Sequence, residues 1–289
     1  MIDSDQKLEE LEQELEQLRE EGFLLPEEGI RIFNGNIYNS DFWAEVFWRR
    51  RERHSTREDP EIQHVFKKRP RNVLEIGSAY GRVLRKLAEM NEKTGSNASI
   101  TGIELCSYFD SFFQQYSREH PVLNKTRMVY GDFFSSRELA SNTYDVILLP
   151  MNTLPNFPFS MHPRLFKRVH VLLVDDGYWI FSSHKVSSAI YSTKAEYQGS
   201  ILLEKKQGPI INEFYGFASQ KTDYGARIVS YSRYTKLTRD HEKEQSFLFR
   251  SVVEFILPEI IDKLAREHHF KVAYRDDSSH STVHVLQKE

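Results

Sequence analysis

Short apolar runs alternate with longer amphipathic segments between residues 71 and 183. The apolar runs, each bounded by Gly, Asp or Pro, are NVLEIG (72–77), SITGIEL (99–105), RMVYGD (127–132), YDVILLP (144–150) and GYWIFSS (177–183). The segments between them, such as RVLRKLAEM and HPRLFKRVHVLLV, carry apolar residues at helical spacing. Strands that alternate with helices form βαβ units of a parallel sheet whose two faces are buried. The pattern therefore predicts an α/β core over residues 71–183.

The alternation ends after residue 183, where longer stretches of strand-like composition begin. These stretches are SILLEKK, IINEFYGFA, ARIVSYSRYTKL and QSFLFRSVVEF, with turn-like strings KTDYG and TRDHEKE between them. They predict an antiparallel sheet, inserted into the core over residues 184–257. Residues 258–289 then return to the core as a helix that begins at Pro258 and two closing strands, FKVAYRD and STVHVLQ. The core sheet is thus expected to have seven strands.

Residues 1–70 carry two amphipathic patterns and are predicted to be N-terminal helices. Four leucines at 3-4-3 spacing form one helical stripe: Leu8, Leu11, Leu15 and Leu18. This stripe is expected to pack either on its own domain or on a second subunit. A group of aromatic residues follows at helical spacing: Tyr38, Phe42, Trp43, Phe47 and Trp48. These rings either belong to the core or form a lid over a cofactor, and the spacing alone leaves both open.

Charge and composition narrow the class of partner. Lys plus Arg is 39 and Asp plus Glu is 42, a net charge of −3 that gives no overall attraction to nucleic acid or acidic membranes. The basic stretch Arg49–Arg71 is the local exception, and it is either a solvated helix face or a contact with nucleic acid or phosphate. Cys106 is the only cysteine, which excludes an internal disulfide and a cysteine-based metal site. No signal-like or membrane-spanning apolar run occurs, so a soluble, cytoplasmic protein is expected.

The string VLEIGSAYGR (73–82) is the strongest chemical signal in the chain. It places a strand, a glycine-containing turn and the start of a helix in succession. Gly77 and Gly81 allow a tight turn and a close approach of the backbone to a ligand. The N-terminus of the following helix offers free N–H groups and a positive dipole, which suit a negatively charged ligand group. We therefore expect a ligand at this turn.

Two carboxylates end the next two apolar runs. Glu104 lies 23 residues beyond Gly81, where a carboxylate can accept both hydroxyl groups of a ribose. Asp132 follows the third run and precedes Phe133, so the acid can accept the exocyclic amine of an adenine while the ring packs on its face. The fourth run ends in LLPMNTL, in the same crevice beyond the carboxyl ends of the strands. Together these positions predict an adenosine site.

On these residues the chain resembles the class I S-adenosylmethionine-dependent methyltransferases, over roughly residues 71–183 and the C-terminal hairpin. The first motif of that family is an acidic residue followed by Gly-x-Gly-x-Gly, and its positions are held here by Glu75, Gly77, Ala79 and Gly81. Ala79 departs from the pattern by replacing the middle glycine. The resemblance implies a Rossmann-like, mostly parallel seven-stranded sheet with S-adenosylmethionine as cofactor. It also implies that Glu104 binds the ribose and that Asp132 and Phe133 bind the adenine.

The resemblance extends to the acceptor side of the site. Met151 and Asn152 fall on the family's fourth motif near the transferred methyl group, where small-molecule N-methyltransferases often carry an Asn-Ser pair; here the pair is Asn152-Thr153. The antiparallel insertion is similar to that of sugar N,N-dimethyltransferases, which implies an acceptor pocket or a dimer contact. In such relatives a tyrosine upstream of the first motif contacts the amino-acid portion of the cofactor, and Tyr38 is the candidate.

The resemblance implies methyl transfer to N or O of a small-molecule acceptor, a reaction in which positioning supplies much of the acceleration. A hydroxyl acceptor needs a base more than an amine does. His184, just past the fifth strand, and His162, in the loop after the fourth motif, are the candidate bases. Aromatic residues of the insertion could wall the acceptor pocket or pack within the sheet: Phe214, Tyr215, Phe217 and Tyr224.

Three alternatives remain open at the level of sequence. The first is a methyltransferase acting on RNA or protein through the basic stretch. The second is a nicotinamide-dependent oxidoreductase, although residue 82, where GxGxxG counted from Gly77 needs its last glycine, is an arginine. The third is a non-catalytic cofactor-binding scaffold. A homodimer is expected from the leucine stripe and from the exposed edges of the inserted sheet.

Overall fold

The computed structural model describes residues 31–32, 40–49, 59–139, 144–150, 153–184, 194–202, 210–237, 243–277 and 281–289. The leucine stripe and three predicted site residues lie outside these ranges: Tyr38, Met151 and Asn152. The side chains of His184, Phe214, Tyr215 and Phe217 are also outside the description, although their backbones belong to strands. For these residues the sequence-based assignments stay predictions.

A seven-stranded sheet forms the core, as the alternating pattern predicted. Its strands are β2 (Asn72–Ile76), β3 (Ser99–Glu104), β4 (Thr126–Tyr130), β5 (Tyr144–Leu149), β6 (Leu173–His184), β11 (Phe270–Asp276) and β12 (Ser281–Lys288). Their spatial order is β11-β12-β6-β5-β2-β3-β4. The strands from β2 to β6 pair in parallel, and β12 is antiparallel to both β6 and β11. The carboxyl ends of β2, β3 and β4 therefore meet at one edge.

Helices cover both faces of this sheet. They are α1 (Asp41–Arg49), α2 (Asp59–Lys67), α3 (Arg82–Thr94), α4 (Phe109–Glu119), α5 (His162–Leu172) and α6 (Pro258–Glu267). One core cluster joins α1 to α4 with one face of the sheet, and the other joins α5 and α6 with the opposite face. Because the central strands β2, β3 and β5 are buried on both sides, their sequences read as continuous apolar runs.

Glycines set the two ends of α3. The helix follows Gly81 and ends at Gly95, which has a φ of 64° and donates its N–H to the carbonyl of Glu92. A left-handed residue at this position satisfies carbonyl groups that the last turn leaves without a helical partner. At its other end α3 begins at Arg82, directly after the predicted ligand-binding turn.

A second sheet contains the predicted antiparallel insertion. Its strands are β1 (Arg31–Ile32), β7 (Lys194–Leu202), β8 (Ile210–Thr222), β9 (Gly225–Leu237) and β10 (Lys243–Ile256), in the order β1-β10-β9-β8-β7. The strands β7 to β10 pair antiparallel. The predicted turn KTDYG is the tight connection between β8 and β9.

The structure differs from the sequence-based expectation at three boundaries. Strand β1 pairs in parallel with β10, a long-range contact that a two-residue strand does not signal. Strand β7 begins at Lys194, before the apolar stretch that predicted it. Strand β6 begins at Leu173, within a segment expected to be helical, because Leu173 pairs with Tyr144 ahead of a register shift.

Within the described ranges, no helix has the length and apolar character needed to cross a membrane. In the same ranges no group of three or more His, Cys, Asp or Glu side chains is arranged to hold a metal ion.

Candidate functional site

The turn after β2 is built from left-handed backbone conformations. Gly77, Ala79 and Gly81 have φ values of 79°, 47° and 90°. Such angles suit glycine and are uncommon for alanine. A Cβ atom on Gly81 would also lie only 2.7 Å from the ring of Phe113, so this position has no space for a side chain. The N–H of Gly77 donates to the carbonyl of Ile103 at 2.9 Å, which ties the turn to the end of β3.

Glu104 lies beside this turn at the end of β3. Its Oε2 accepts the N–H of Ala79 at 2.7 Å, and its Oε1 accepts the N–H of Cys106 at 2.9 Å. The side chain is 7% exposed, and burial raises the pKa of the carboxyl above its ordinary value although backbone N–H donors oppose that shift. A carboxylate oxygen can accept more than one hydrogen bond, so both oxygens keep acceptor capacity.

Asp132 follows β4 and is exposed at the same edge of the sheet. Its Oδ1 accepts the N–H of Phe134 at 3.0 Å, and its Oδ2 accepts the hydroxyl of Ser135 at 2.9 Å. The preceding residue, Gly131, has a φ of 152° and donates its N–H to the carbonyl of Glu104. The acid therefore has a fixed orientation and, as with Glu104, keeps acceptor capacity.

One cavity of about 690 Å³ joins these elements. It is lined by six of the predicted cofactor-binding residues: Glu75, Gly77, Ala79, Glu104, Asp132 and Phe133. Gly81 contributes the turn conformation rather than a wall. The adenosine interpretation required Gly77, Glu104 and Asp132 to share a cleft, and they do.

Charge in the cavity is predominantly negative. The charged residues that line it within the described ranges are Glu75, Arg82, Glu104 and Asp132. Three carboxyl groups against one guanidinium give a field that favours a cationic ligand over an anionic one.

The aromatic residues of α1 are divided between the core and the lining of the cavity. Phe42 and Trp48 are buried, and Trp48 stacks on Phe112 with ring centroids 5.3 Å apart. Trp43 and Phe47 instead line the cavity. The hydroxyl oxygen of Ser40 accepts the N–H of Trp43. This bond caps the N-terminus of α1 and so helps to fix the position of its aromatic side chains.

One wall of the cavity is the segment after β5. Its lining residues are Pro150, Thr153, Asn156, Phe157, Pro158 and Met161. The hydroxyl of Thr153 donates to the carbonyl of Pro150 at the start of the wall. This wall carries no charged side chain among its described residues, so apolar and neutral polar groups form it.

His162 does not belong to the described lining of the cavity, in contrast to its prediction as a candidate base. The side chain is fully buried, and its Nε2 lies 3.1 Å from the carbonyl oxygen of Phe157. Burial lowers the pKa of the imidazole to about 4, although Glu254 opposes the shift. His162 contacts the wall from behind, and its position supports a packing role.

The inserted sheet contacts the same wall through Glu254 of β10. Its carboxylate accepts the N–H of Phe159 and, at 2.9 Å, the hydroxyl of Tyr224. The ring of Tyr224 stacks on Phe159 with centroids 4.0 Å apart. We call Glu254, Tyr224 and Phe159 the sheet–wall clamp. Tyr224, predicted as a pocket or packing residue, thus holds the wall from outside the described cavity lining.

Several lining residues were missed by the sequence analysis. They are Leu105, Phe109, Phe134, Asn156, Phe157 and Met161. Leu105 could have been identified from the sequence, because it directly follows the strand-end acid Glu104. In the structure its side chain is 40% exposed. The others come from loops and a helix whose approach to the cavity depends on tertiary packing. His184 ends β6, at the carboxyl edge of the sheet.

Comparison with known proteins gives structural matches only. No protein-family profile matches the chain, and no curated protein matches its sequence significantly. The structure is similar to the sugar N-methyltransferase KedS8 from Streptoalloteichus sp ATCC 53650, with a TM-score of 0.64, 12% identity, and coverage of 92% of this chain and 99% of that one. It is also similar to the CcbJ methyltransferase from Streptomyces caelestis, with a TM-score of 0.61, 18% identity and coverage of 82% and 98%.

A third match contains the cofactor. The S-adenosylmethionine-bound amino pentose methyltransferase CalS10 from Micromonospora echinaspora has a TM-score of 0.56, 13% identity, and coverage of 89% of this chain and 100% of that one. Together with the strand order, these matches show that the chain has the class I methyltransferase fold. At such low identity the fold is what the similarity establishes.

Proposed function

We propose that this protein is an S-adenosylmethionine-dependent methyltransferase that transfers a methyl group to nitrogen or oxygen of a small molecule. The observation that carries the proposal is the shared cavity in which the Gly77–Gly81 turn, Glu104 and Asp132 converge. The fold supports the proposal, and so do the solved structures that match it, which include a sugar N-methyltransferase and an S-adenosylmethionine-bound amino pentose methyltransferase.

The described residues fit this cofactor by their chemistry. Glu104 is a buried acceptor beside the turn and suits the two hydroxyls of a ribose, while Asp132 and Phe133 suit the amine and the ring face of an adenine. The excess of carboxylates suits a sulfonium cation. It opposes the diphosphate of a nicotinamide dinucleotide, which argues against the oxidoreductase alternative.

When bound, S-adenosylmethionine supplies an activated methyl group on a positively charged sulfur. The protein has to bind the acceptor in line with that group and exclude water. Trp43 and Phe47 of α1, together with Phe157 and Met161 of the segment after β5, provide apolar walls for this purpose. Because these walls present no charged side chain among the residues that the structure describes, we favour an amine acceptor that enters with a neutral lone pair over a hydroxyl that needs a strong base.

The remaining assignments belong to the same proposal. We assign Asn152, near the transferred methyl group, as a catalytic residue, and His184 as the base if one is used. Met151 and Tyr38 are assigned to the cofactor, Tyr38 to its amino-acid portion. His162 is the weakest of these candidates because its imidazole is buried against Phe157. We also propose a homodimer in the cytoplasm with no nucleic-acid partner.

Isothermal titration with S-adenosylmethionine, S-adenosylhomocysteine and NAD tests the cofactor. We expect micromolar binding of the first two and none of NAD. Asp132→Ala and Glu104→Gln should each weaken binding about tenfold or more, since each removes a charged acceptor. Glutamine is chosen at Glu104 because a smaller residue would also remove a partner of the Ala79 N–H. The control Glu89→Gln, on the exposed face of α3, should leave affinity unchanged.

The acceptor is tested next with methyl-labelled S-adenosylmethionine and a panel of amino sugars, other small amines and small alcohols. Label transfer to an amine supports the proposal in full. Failure of the wild-type protein to bind S-adenosylmethionine or its demethylated product would overturn it. Binding without transfer to any panel member would favour the scaffold alternative, and transfer to RNA or protein alone would favour a macromolecular acceptor.

A further inference from the structure

The loop after β4 is a compact turn with a defined hydrogen-bond pattern. The N–H groups of Ser135 and Ser136 donate to the main-chain carbonyl of Asp132, at 3.1 and 2.8 Å. The carboxylate of Asp132 accepts the N–H of Phe134 and the hydroxyl of Ser135. Asp132, Phe133 and Phe134 of this turn line the cavity. The direction of the acid and of the rings therefore depends on the conformation of residues 132–136.

Arg168 of α5 contacts this turn from behind. Its Nε donates to the carbonyl of Phe133 at 3.4 Å, and its Nη2 donates to the carbonyl of Ser136 at 3.1 Å. Its guanidinium also lies 6.0 Å from the ring centroid of Phe133. Within the described part of the chain, its hydrogen bonds thus go to two main-chain oxygens three residues apart. The planar, rigid fork of an arginine can satisfy both at once, whereas lysine offers a single ammonium on a flexible stem.

We propose that Arg168 is a positioning residue that orients the 132–136 turn so that Asp132 and Phe133 face an adenine ring. This inference rests on the proposed function and extends it, because it makes a residue outside the described cavity lining responsible for base selectivity. The acceptor oxygen of Asp132 discriminates an exocyclic amine from a carbonyl only while its direction is held. Two charge-assisted hydrogen bonds to the turn supply that restraint.

The test measures base selectivity rather than activity, so it needs no acceptor. The affinities of S-adenosylhomocysteine and of S-inosylhomocysteine, in which a carbonyl replaces the adenine amine, are measured by isothermal titration. The wild-type protein is expected to prefer the adenine ligand by tenfold or more. Arg168→Ala and Arg168→Lys should each reduce that preference to about threefold or less. Lysine keeps the charge, so its failure to rescue would show that the bidentate geometry is what matters.

Lys167→Ala provides the matched control, because it removes one positive charge from the exposed face of the same helix. It should retain the wild-type preference. Thermal unfolding of each variant establishes that it is folded before titration. A folded Arg168→Lys with the full wild-type preference would overturn the inference while leaving the proposed function intact. Absence of S-adenosylhomocysteine binding by the wild-type protein would instead overturn the proposed function, and this inference with it.

Discussion

Ala79 occupies a left-handed backbone conformation between two glycines that occupy similar ones. Its φ of 47° costs an alanine energy that a glycine does not lose, on the order of 1–2 kcal/mol. The strain persists because Glu104 accepts the N–H of Ala79 and the flanking turn is tied to β3. A strained residue whose N–H is held by a candidate ribose acid links backbone geometry directly to the site.

Replacing this residue by the glycine that the methyltransferase motif usually carries should stabilise the fold. Ala79→Gly removes the left-handed strain but adds unfolded-state entropy of about 0.4–1 kcal/mol, so we expect a net gain of about 0.5–1 kcal/mol. The change is measured as the free energy of unfolding in urea. As a control, Ala273→Gly in the exposed strand β11 should lose stability. Similar losses in both variants would show that the turn is not strained.

The candidate acids illustrate what sequence can and cannot predict at this scale. Glu104 and Asp132 were predicted to lie together because parallel strands end at a common edge. Their hydrogen-bond partners were not predictable from spacing. The position of Arg168 against the 132–136 turn depends on how α5 packs on the sheet, a contact between residues more than thirty apart.

At the scale of elements, the sheet–wall clamp connects the inserted sheet with the wall of the cavity. Glu254 has a side chain 14% exposed and accepts from both Tyr224 and the backbone of Phe159. An insertion that held only its own strands together would not need such contacts. The clamp therefore ties the conformation of the wall, from Leu154 to Met161, to the position of β10.

Glu254→Ala should destabilise the protein by about 1–3 kcal/mol, because it leaves two partly buried donors without their acceptor. Tyr224→Phe removes one hydrogen bond and should cost about 0.5–1.5 kcal/mol. Arg227→Ala is the control, since its guanidinium lies 3.8 Å from Glu254 and is 39% exposed, and it should change stability by less than about 0.5 kcal/mol. Urea unfolding distinguishes these values. A loss in the control as large as that of Glu254→Ala would assign the stabilisation to the ion pair.

The elements themselves were largely predictable, and the exceptions have a common cause. Periodicity identified the strands from β2 to β5, and Gly and Pro marked the helix boundaries. The pairing of β1 with β10 and the early start of β6 at Leu173 follow from tertiary strand pairing, which carries no local period. The clamp belongs to the same category, since its three residues come from separate segments of the chain.

At the scale of the whole molecule, two buried histidines lie in separate parts of the core. His162 packs behind the cavity wall, while His284 of β12 lies between strands with its Nε2 2.8 Å from the hydroxyl of Ser183. Both are fully buried, and burial lowers the pKa of each from 6.5 to about 4. In the folded protein each imidazole is therefore neutral, because burial withholds the water that would hydrate its charged form.

Stability should consequently fall as the pH is lowered from 6.5 towards 4. Over this range the unfolded chain binds protons at these histidines and the folded chain does not, so the free energy of unfolding rises with pH. Between pH 7 and pH 5 this difference amounts to roughly 2 kcal/mol for each histidine. Urea unfolding at pH 7 and pH 5 measures the difference. His284→Gln, which can keep the bond to Ser183, should reduce the pH dependence, whereas the exposed control His269→Gln should not. The same pH dependence in wild type and His284→Gln would show that His284 is not held neutral in the fold.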